Sequence, residues 1–177
     1  YCGAPLVTGR HYRMRSAANV VDEIQLYYRK GHRRFGVFDD AFNVDMDRAK
    51  TICRTLMERK LEITWDLANG LRADKMDLEL VTLLKQSGCN FIGIGGESGN
   101  DGILRKIRKG VDTAGIRKAV DLANQVGLGT AVNFIFGHPD ETYKTALDTL
   151  RFAEKLPASY VNMYGLIPMR GTRAYEE

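Results

Sequence analysis

The sequence predicts an α/β fold organised around a parallel sheet, either an open doubly wound sheet or part of a (β/α) barrel. Three observations carry this reading. Over all 177 residues, apolar side chains recur at helical spacing in one segment and cluster in short strand-like runs in the next. Every strand-like run is followed by a polar or glycine-rich stretch, which gathers the unusual chemistry on one rim of the sheet. The first 16 residues carry no strand pattern, so the chain reads as opening in the loop after a strand.

The elements follow in order. Residues 17–30 are helical, with Val20, Val21 and Ile24 on one face, Ser16 as N-cap and Gly31 as the stop. Residues 34–38 form a short apolar strand. Residues 45–60 are a helix that begins near Asp45 or Asp47 and turns Ile52, Leu56 and Met57 inward. Residues 61–68 read as strand, 75–87 as a helix ended by Gly88, and 91–94 as strand. Helices follow over 100–108 and 113–126, then a strand over 130–136, a helix over 141–156 stopped by Pro157, and a last strand over 160–167. Crossovers between successive strands imply right-handed parallel connections. No linker or low-complexity stretch interrupts residues 1–177, which read as one domain.

Composition is that of a globular chain, 44% apolar and 27% charged. There is no apolar run long enough for a membrane span, and the opening residues lack a signal-peptide pattern. A cytoplasmic location is expected. The net charge of +4 gathers in Arg10, Arg13 and Arg15, in Arg29, Lys30, Arg33 and Arg34, and in Arg105, Lys106, Arg108 and Lys109. Such clusters can meet phosphates. Cations also suit helix C-termini, and no nucleic-acid-binding motif accompanies them, so a solvated basic face is the preferred reading.

The strand ends hold the candidate site. Asp39 and Asp40 end the first strand; one can face a ligand or a metal, or the pair can cap the next helix. Arg72, after the second strand, has the fork geometry that clamps a carboxylate, with a surface ion pair as the plainer alternative. Glu97 and Ser98 lie among glycines that let backbone approach a ligand, and a carboxylate beside a hydroxyl can grip the vicinal diol of a ribose. Gly137-His138-Pro139-Asp140-Glu141-Thr142 reads as the start of a helix, with His138 as an exposed loop residue. Cys53 and Cys89 read as small core residues, whereas Cys2 lies in a loop before Gly-Ala-Pro. Three cysteines fit no disulfide framework.

The run YCGAPLVTGRHYRMRSAANVVDEI resembles the end of the radical S-adenosylmethionine (SAM) cysteine motif and the segment after it. FDDAF, NGLRAD, IGIGGESGND with ILRKIRKG, FIFGHPDET and LIPMRGTRAY extend the resemblance across the chain. It is most similar to the branch of that superfamily whose members often carry a cobalamin-binding domain upstream. The resemblance implies a partial (β/α)6 barrel lacking its first strand. It also implies a [4Fe–4S] cluster and SAM as cofactors, with cobalamin bound by an upstream domain, and reductive cleavage of SAM to a 5′-deoxyadenosyl radical.

Carried onto this sequence, the resemblance makes Cys2 a cluster ligand and sets Tyr1 near the adenine. Asp39 and Asp40 meet the SAM amino group, Arg72 its carboxylate, and Glu97 and Ser98 its ribose. Ile135 and Gly137, and the backbone from Leu166 to Pro168, lie beside the adenine. It implies a small-molecule substrate and a flavodoxin or ferredoxin as reductant. Two motif cysteines do not precede Tyr1, so this polypeptide by itself is expected to be inactive, with an open strand edge prone to self-association. The alternatives are a radical SAM enzyme that modifies RNA, a nucleoside-binding scaffold without catalysis, and a metal-dependent hydrolase using Asp39 and Asp40.

Overall fold

The computed structural model describes residues 3, 4, 6, 9 and 11–176; the expectations for Tyr1 and Cys2 fall outside the described residues. Its elements are α1 (Ala17–Arg29), β1 (Arg34–Val37), α2 (Met46–Glu58), β2 (Thr64–Leu71), a 3-10 turn (Ala73–Lys75), α3 (Leu78–Gln86), β3 (Cys89–Glu97), α4 (Asp101–Lys106), α5 (Thr113–Gln125), β4 (Gly129–Phe136), α6 (Tyr143–Glu154), β5 (Tyr160–Gly165) and α7 (Arg173–Glu176). Local chemistry accounts for the helix starts. Ser16, Asp45, Asp77, Asn100, Asp112 and Thr142 each accept a backbone N–H of the helix they precede.

The five strands are all parallel and lie in the order β1-β2-β3-β4-β5. This order decides between the two architectures open from sequence. A doubly wound sheet reverses its strand order at a switch point and carries helices on both faces. A sequential order with right-handed crossovers puts every helix on one face, which is the winding of a barrel wall. The five strands are therefore part of a barrel. Among the described residues no strand pairs with the outer edge of β1.

Alternate residues separate the two faces of the sheet. Trp65, Leu67, Ile92, Ile94, Val132 and Phe134 are buried toward the helices, where Phe134 meets Phe152 of α6 edge-on at 6.1 Å. Cys53 and Cys89 are fully buried in the same layer, as expected, and burial raises their thiol pKa values to about 11 and about 12. The opposite, open face carries Asp66, Ala68, Gly95, Asn133, Ile135 and Asn162.

Two strands depart furthest from the sequence reading. β2 begins at Thr64, three residues later than expected, and runs through Asn69 and Gly70 because an irregular register between Leu67 and Leu71 absorbs them. β3 continues through Gly95 and Gly96 to Glu97, so Glu97 ends the strand and does not sit in a loop after it.

Candidate functional site

The open face gathers its polar groups at the ends of β3 and β4. Glu97 is 8% exposed, and its Oε1 accepts from Lys109 Nζ at 2.7 Å. Lys109 reaches this position through the end of α4. Arg108 takes a left-handed φ of 55°, where glycine is the usual residue, and the Lys109 N–H donates to the Leu104 carbonyl at 3.0 Å. The chain thereby turns back onto the sheet. A Cβ on Gly95 would stand 2.7 Å from Lys109 Nζ, so glycine at that position admits the ammonium. In register with Gly95 lie Asn133 and Asn162, whose side-chain amides join at 2.9 Å.

Glu97 is held in a strained backbone. Its φ is 63°, and the β3–β4 register slips between Gly95 and Glu97. A left-handed non-glycine residue costs about 1–3 kcal/mol and persists where its surroundings over-determine it. The flip it causes sends Ser98 the other way. Ser98 is fully buried, its Oγ lies 3.2 Å from Thr149 Oγ1, and it accepts the Asn100 N–H at 3.1 Å. Ser98 is thus a tie between β3 and α6, turned away from the face that Glu97 occupies, and the expected carboxylate–hydroxyl pair on one ligand does not form.

The β4 end lies beside this site. Gly137 has a φ of 89°, and its N–H donates to Glu141 Oε2 at 2.5 Å. The Glu141 N–H donates to the His138 carbonyl at 2.9 Å. His138 is 3% exposed, which overturns its reading as an exposed loop residue. The turn folds the imidazole under the rim. Burial pushes its pKa below the ordinary value, against the pull of the Glu141 and Glu97 carboxylates. Leu166 joins the same rim by donating its N–H to the Phe136 carbonyl at 2.7 Å, with Ile135 in register with Tyr164. Pro168 lies exposed two residues further on.

The remaining expected residues stand apart. Arg72 is turned onto Asp74 through Nε (3.1 Å) and Nη2 (2.7 Å), because the 3-10 turn brings that carboxylate back beside it. This is the ion pair weighed as its plainer alternative. Asp39 and Asp40 are exposed and line a cavity of about 720 Å³ along the outer edge of β1, together with Tyr12 and Arg48. They do not cap α2, a role Asp45 takes. Among the described residues no group of three or more His, Cys, Asp or Glu is placed to hold a metal ion.

Sequence reasoning missed Lys109 and the Asn133–Asn162 pair. Lys109 was hidden in a basic run whose other members stay at the surface. The asparagines carry a usable signal, since an amide inside an apolar strand marks the face away from the core.

The profile of the radical SAM superfamily matches residues 1–153. The chain belongs to the radical SAM superfamily. Among its relatives, an uncharacterized methyltransferase of Pyrococcus horikoshii is 30% identical over 177 residues, covering 99% of this chain and 38% of the relative. The radical SAM methyltransferase TsrM of Kitasatospora setae, solved with cobalamin and a [4Fe–4S] cluster, superposes with a TM-score of 0.87 at 22% identity, over 95% of this chain and 34% of that one. The cobalamin-dependent SAM radical enzyme OxsB gives a TM-score of 0.74 at 22% identity, over 94% and 25%. The chain spans less than two fifths of the length of each of these proteins. These structures share the radical SAM barrel fold of the present chain. No helix among the described residues is long and apolar enough to cross a membrane.

Proposed function

We propose that this chain forms the SAM-binding wall of a radical SAM enzyme that transfers a methyl group to a small-molecule substrate, with cobalamin as a further cofactor. The family match supports the use of SAM. The cobalamin-bound structures of shared fold and the Pyrococcus methyltransferase support the branch.

The observation that carries the site is the Lys109–Glu97 pair on the open face of the sheet. SAM offers a vicinal diol and an amino-acid carboxylate. Glu97 has the acceptor oxygens for the two ribose hydroxyls. Lys109, released from Glu97, has the charge and reach for the carboxylate, the role the resemblance gave to Arg72. Asn133 and Asn162 present amide donors and acceptors beside the pair, and Ile135, Gly137, Leu166 and Pro168 form the edge on which the adenine lies. Asp39 and Asp40 remain the proposed partners of the SAM amino group, and Tyr1 of the adenine.

Cys2 would be one ligand of a [4Fe–4S] cluster, and that cluster would supply the electron for reductive cleavage of the SAM sulfonium. The described cysteines fit no share in it, because Cys53 and Cys89 are buried thiols held protonated. A flavodoxin or ferredoxin is the proposed reductant. The open edge of β1 is the proposed surface for self-association, to be read from sedimentation at rising concentration; a monomer throughout would contradict it.

Calorimetric titration of the chain with S-adenosylhomocysteine tests the nucleoside site directly. Binding is expected, and Glu97→Gln is expected to weaken it about tenfold, the equivalent of one charge-assisted hydrogen bond. An unchanged affinity in Glu97→Gln would remove Glu97 from the site.

A further inference from the structure

We infer that Thr149 of α6 is a positioning residue: through Ser98 and Gly99 it holds the strained turn at Glu97, and so sets where that carboxylate stands on the open face. The consequence for ligand affinity rests on the nucleoside-binding reading above; the consequence for the Lys109 ion pair does not.

Glu97 stands at the centre of a γ-turn. The Ser98 N–H closes back onto the Gly96 carbonyl at 2.8 Å, and Glu97 between them has a φ of 63°. This hand of γ-turn is rare and strained. The flanking glycines are already used for close approach. A Cβ on Gly96 would stand 2.8 Å from Val132 Cγ1. One on Gly99 would stand 2.6 Å from Thr149 Cα and 2.7 Å from Phe152 Cβ. Gly96 and Gly99 thus let the chain press onto the core and onto α6, while the glutamate between them takes the left-handed conformation. A strained glutamate needs neighbours that leave it no alternative.

Thr149 supplies them from the helical side of the sheet. It is fully buried, and its hydroxyl meets the Gly99 N–H at 3.0 Å, Ser98 Oγ at 3.2 Å and the Thr145 carbonyl at 3.2 Å. A hydroxyl has one proton and two lone pairs. The Thr145 carbonyl can only accept, so it takes the Thr149 proton. The Gly99 N–H fills one lone pair, and the Ser98 hydroxyl donates to the other. Ser98 Oγ in turn accepts the Asn100 N–H at 3.1 Å. The direction of every bond is fixed and no group is left over. The preceding residue of α6, Asp148, holds the same segment by accepting from Asn100 Nδ2 at 2.9 Å. Relaxing Glu97 to an ordinary strand conformation would re-aim Ser98 and break this network.

Thr149→Val keeps the shape and loses the hydroxyl, whereas Thr149→Ser keeps the hydroxyl. Lost buried hydrogen bonds lower the melting temperature whatever their purpose, so the readout is the coupling between Glu97 and Lys109. A double-mutant cycle of Glu97→Gln and Lys109→Met measures it from melting temperatures, in the wild-type and in each Thr149 background. The coupling is expected to fall by at least half in Thr149→Val and to return in Thr149→Ser. Thr149→Val is also expected to weaken S-adenosylhomocysteine binding about tenfold, as Glu97→Gln does, and to add no further loss in the Glu97→Gln background.

A coupling unchanged in Thr149→Val, or an equal loss of affinity when that substitution is added to Glu97→Gln, would overturn the inference and leave Thr149 as a packing contact of α6. Should Thr149→Val fail to fold, Ser98→Ala removes the same tie from the strand side and is read the same way. The coupling arm needs no ligand, so absence of nucleoside binding by the wild-type chain would sink the proposed function while the cycle still decides on Thr149.

Discussion

Lys50 and Lys109 are both largely buried lysines paired with carboxylates, yet their surroundings differ. Lys50 leaves α2 on the helical side of the sheet and donates to two acceptors, Asp77 at 2.7 Å and Glu79 at 2.6 Å. Asp77 also caps α3, accepting the Leu80 N–H at 2.7 Å, and Glu79 is shared with Arg54. Every member of that group is tied to a regular helix. Among the described residues Lys109 has one carboxylate partner, on the open face of the sheet, and that partner sits in a left-handed bulge. A lysine satisfied twice over by unstrained partners clamps two helices together. A lysine held by one strained glutamate on an open face suits the proposed exchange of that partner for a ligand.

Substitutions sharpen this contrast, the largest effect first. Lys109→Met leaves the Glu97 carboxylate buried without its cation and is expected to lower unfolding stability by about 3 kcal/mol, read by chemical denaturation. It is also expected to abolish measurable S-adenosylhomocysteine binding.

Lys50→Met is expected to lower stability by about 2 kcal/mol, because its partners are half in solvent and recover water when the amine is removed. Nucleoside affinity should not change. The pH dependence separates the two lysines further. The Lys50 hydrogen bond holds Glu79 below its ordinary 4.5. Asp77 is pushed up by burial, but the bonds from Lys50 and Leu80 outweigh this and hold it below 3.8. A carboxylate with a lowered folded pKa stabilises the fold above its unfolded pKa, and that stability is lost as pH falls through the lowered value. Acid denaturation of Lys50→Met is therefore expected to begin at higher pH than in the wild type, and an unmoved acid limb would count against the clamp.

The differences from the sequence reading concentrate at the open face. Helix starts were legible at Ser16 and Asp45, where a capping side chain precedes a periodic run, whereas the helices read from residues 75 and 141 begin at Leu78 and Tyr143, behind the caps Asp77 and Thr142. The rim was legible because each strand ends in polar residues. The ends of β2 and β3 were not, because Asn69-Gly70 and Gly95-Gly96 carry the composition of turns. There the glycines serve a strand irregularity and the close approach of Lys109. Strand order lies beyond any local pattern, since alternating helices and strands suit both windings. His138 was misread because a single loop residue has no periodicity. Its burial follows from the Glu141 turn, which only three-dimensional proximity reveals.

Smaller effects complete the series. Asn162→Ala removes the bond to Asn133 and is expected to cost about 1 kcal/mol of stability, with a modest loss of nucleoside affinity. Cys53 and Cys89, buried and protonated, are expected to resist alkylation in the native chain and to react once it is unfolded, as read by mass spectrometry. Rapid native labelling of either would show that the helical side opens readily.

The most direct test of the contrast is the double substitution Glu97→Gln with Lys109→Met. It removes both charges together, so no unpaired ion is left in the site. Denaturation and S-adenosylhomocysteine titration are measured on the same preparation. The expected result is stability within about 1 kcal/mol of the wild type, as for other buried ion pairs replaced by neutral groups, together with loss of nucleoside binding. A double variant that binds as tightly as the wild-type chain would show that the pair is structural, like that of Lys50, and would contradict the account of the site.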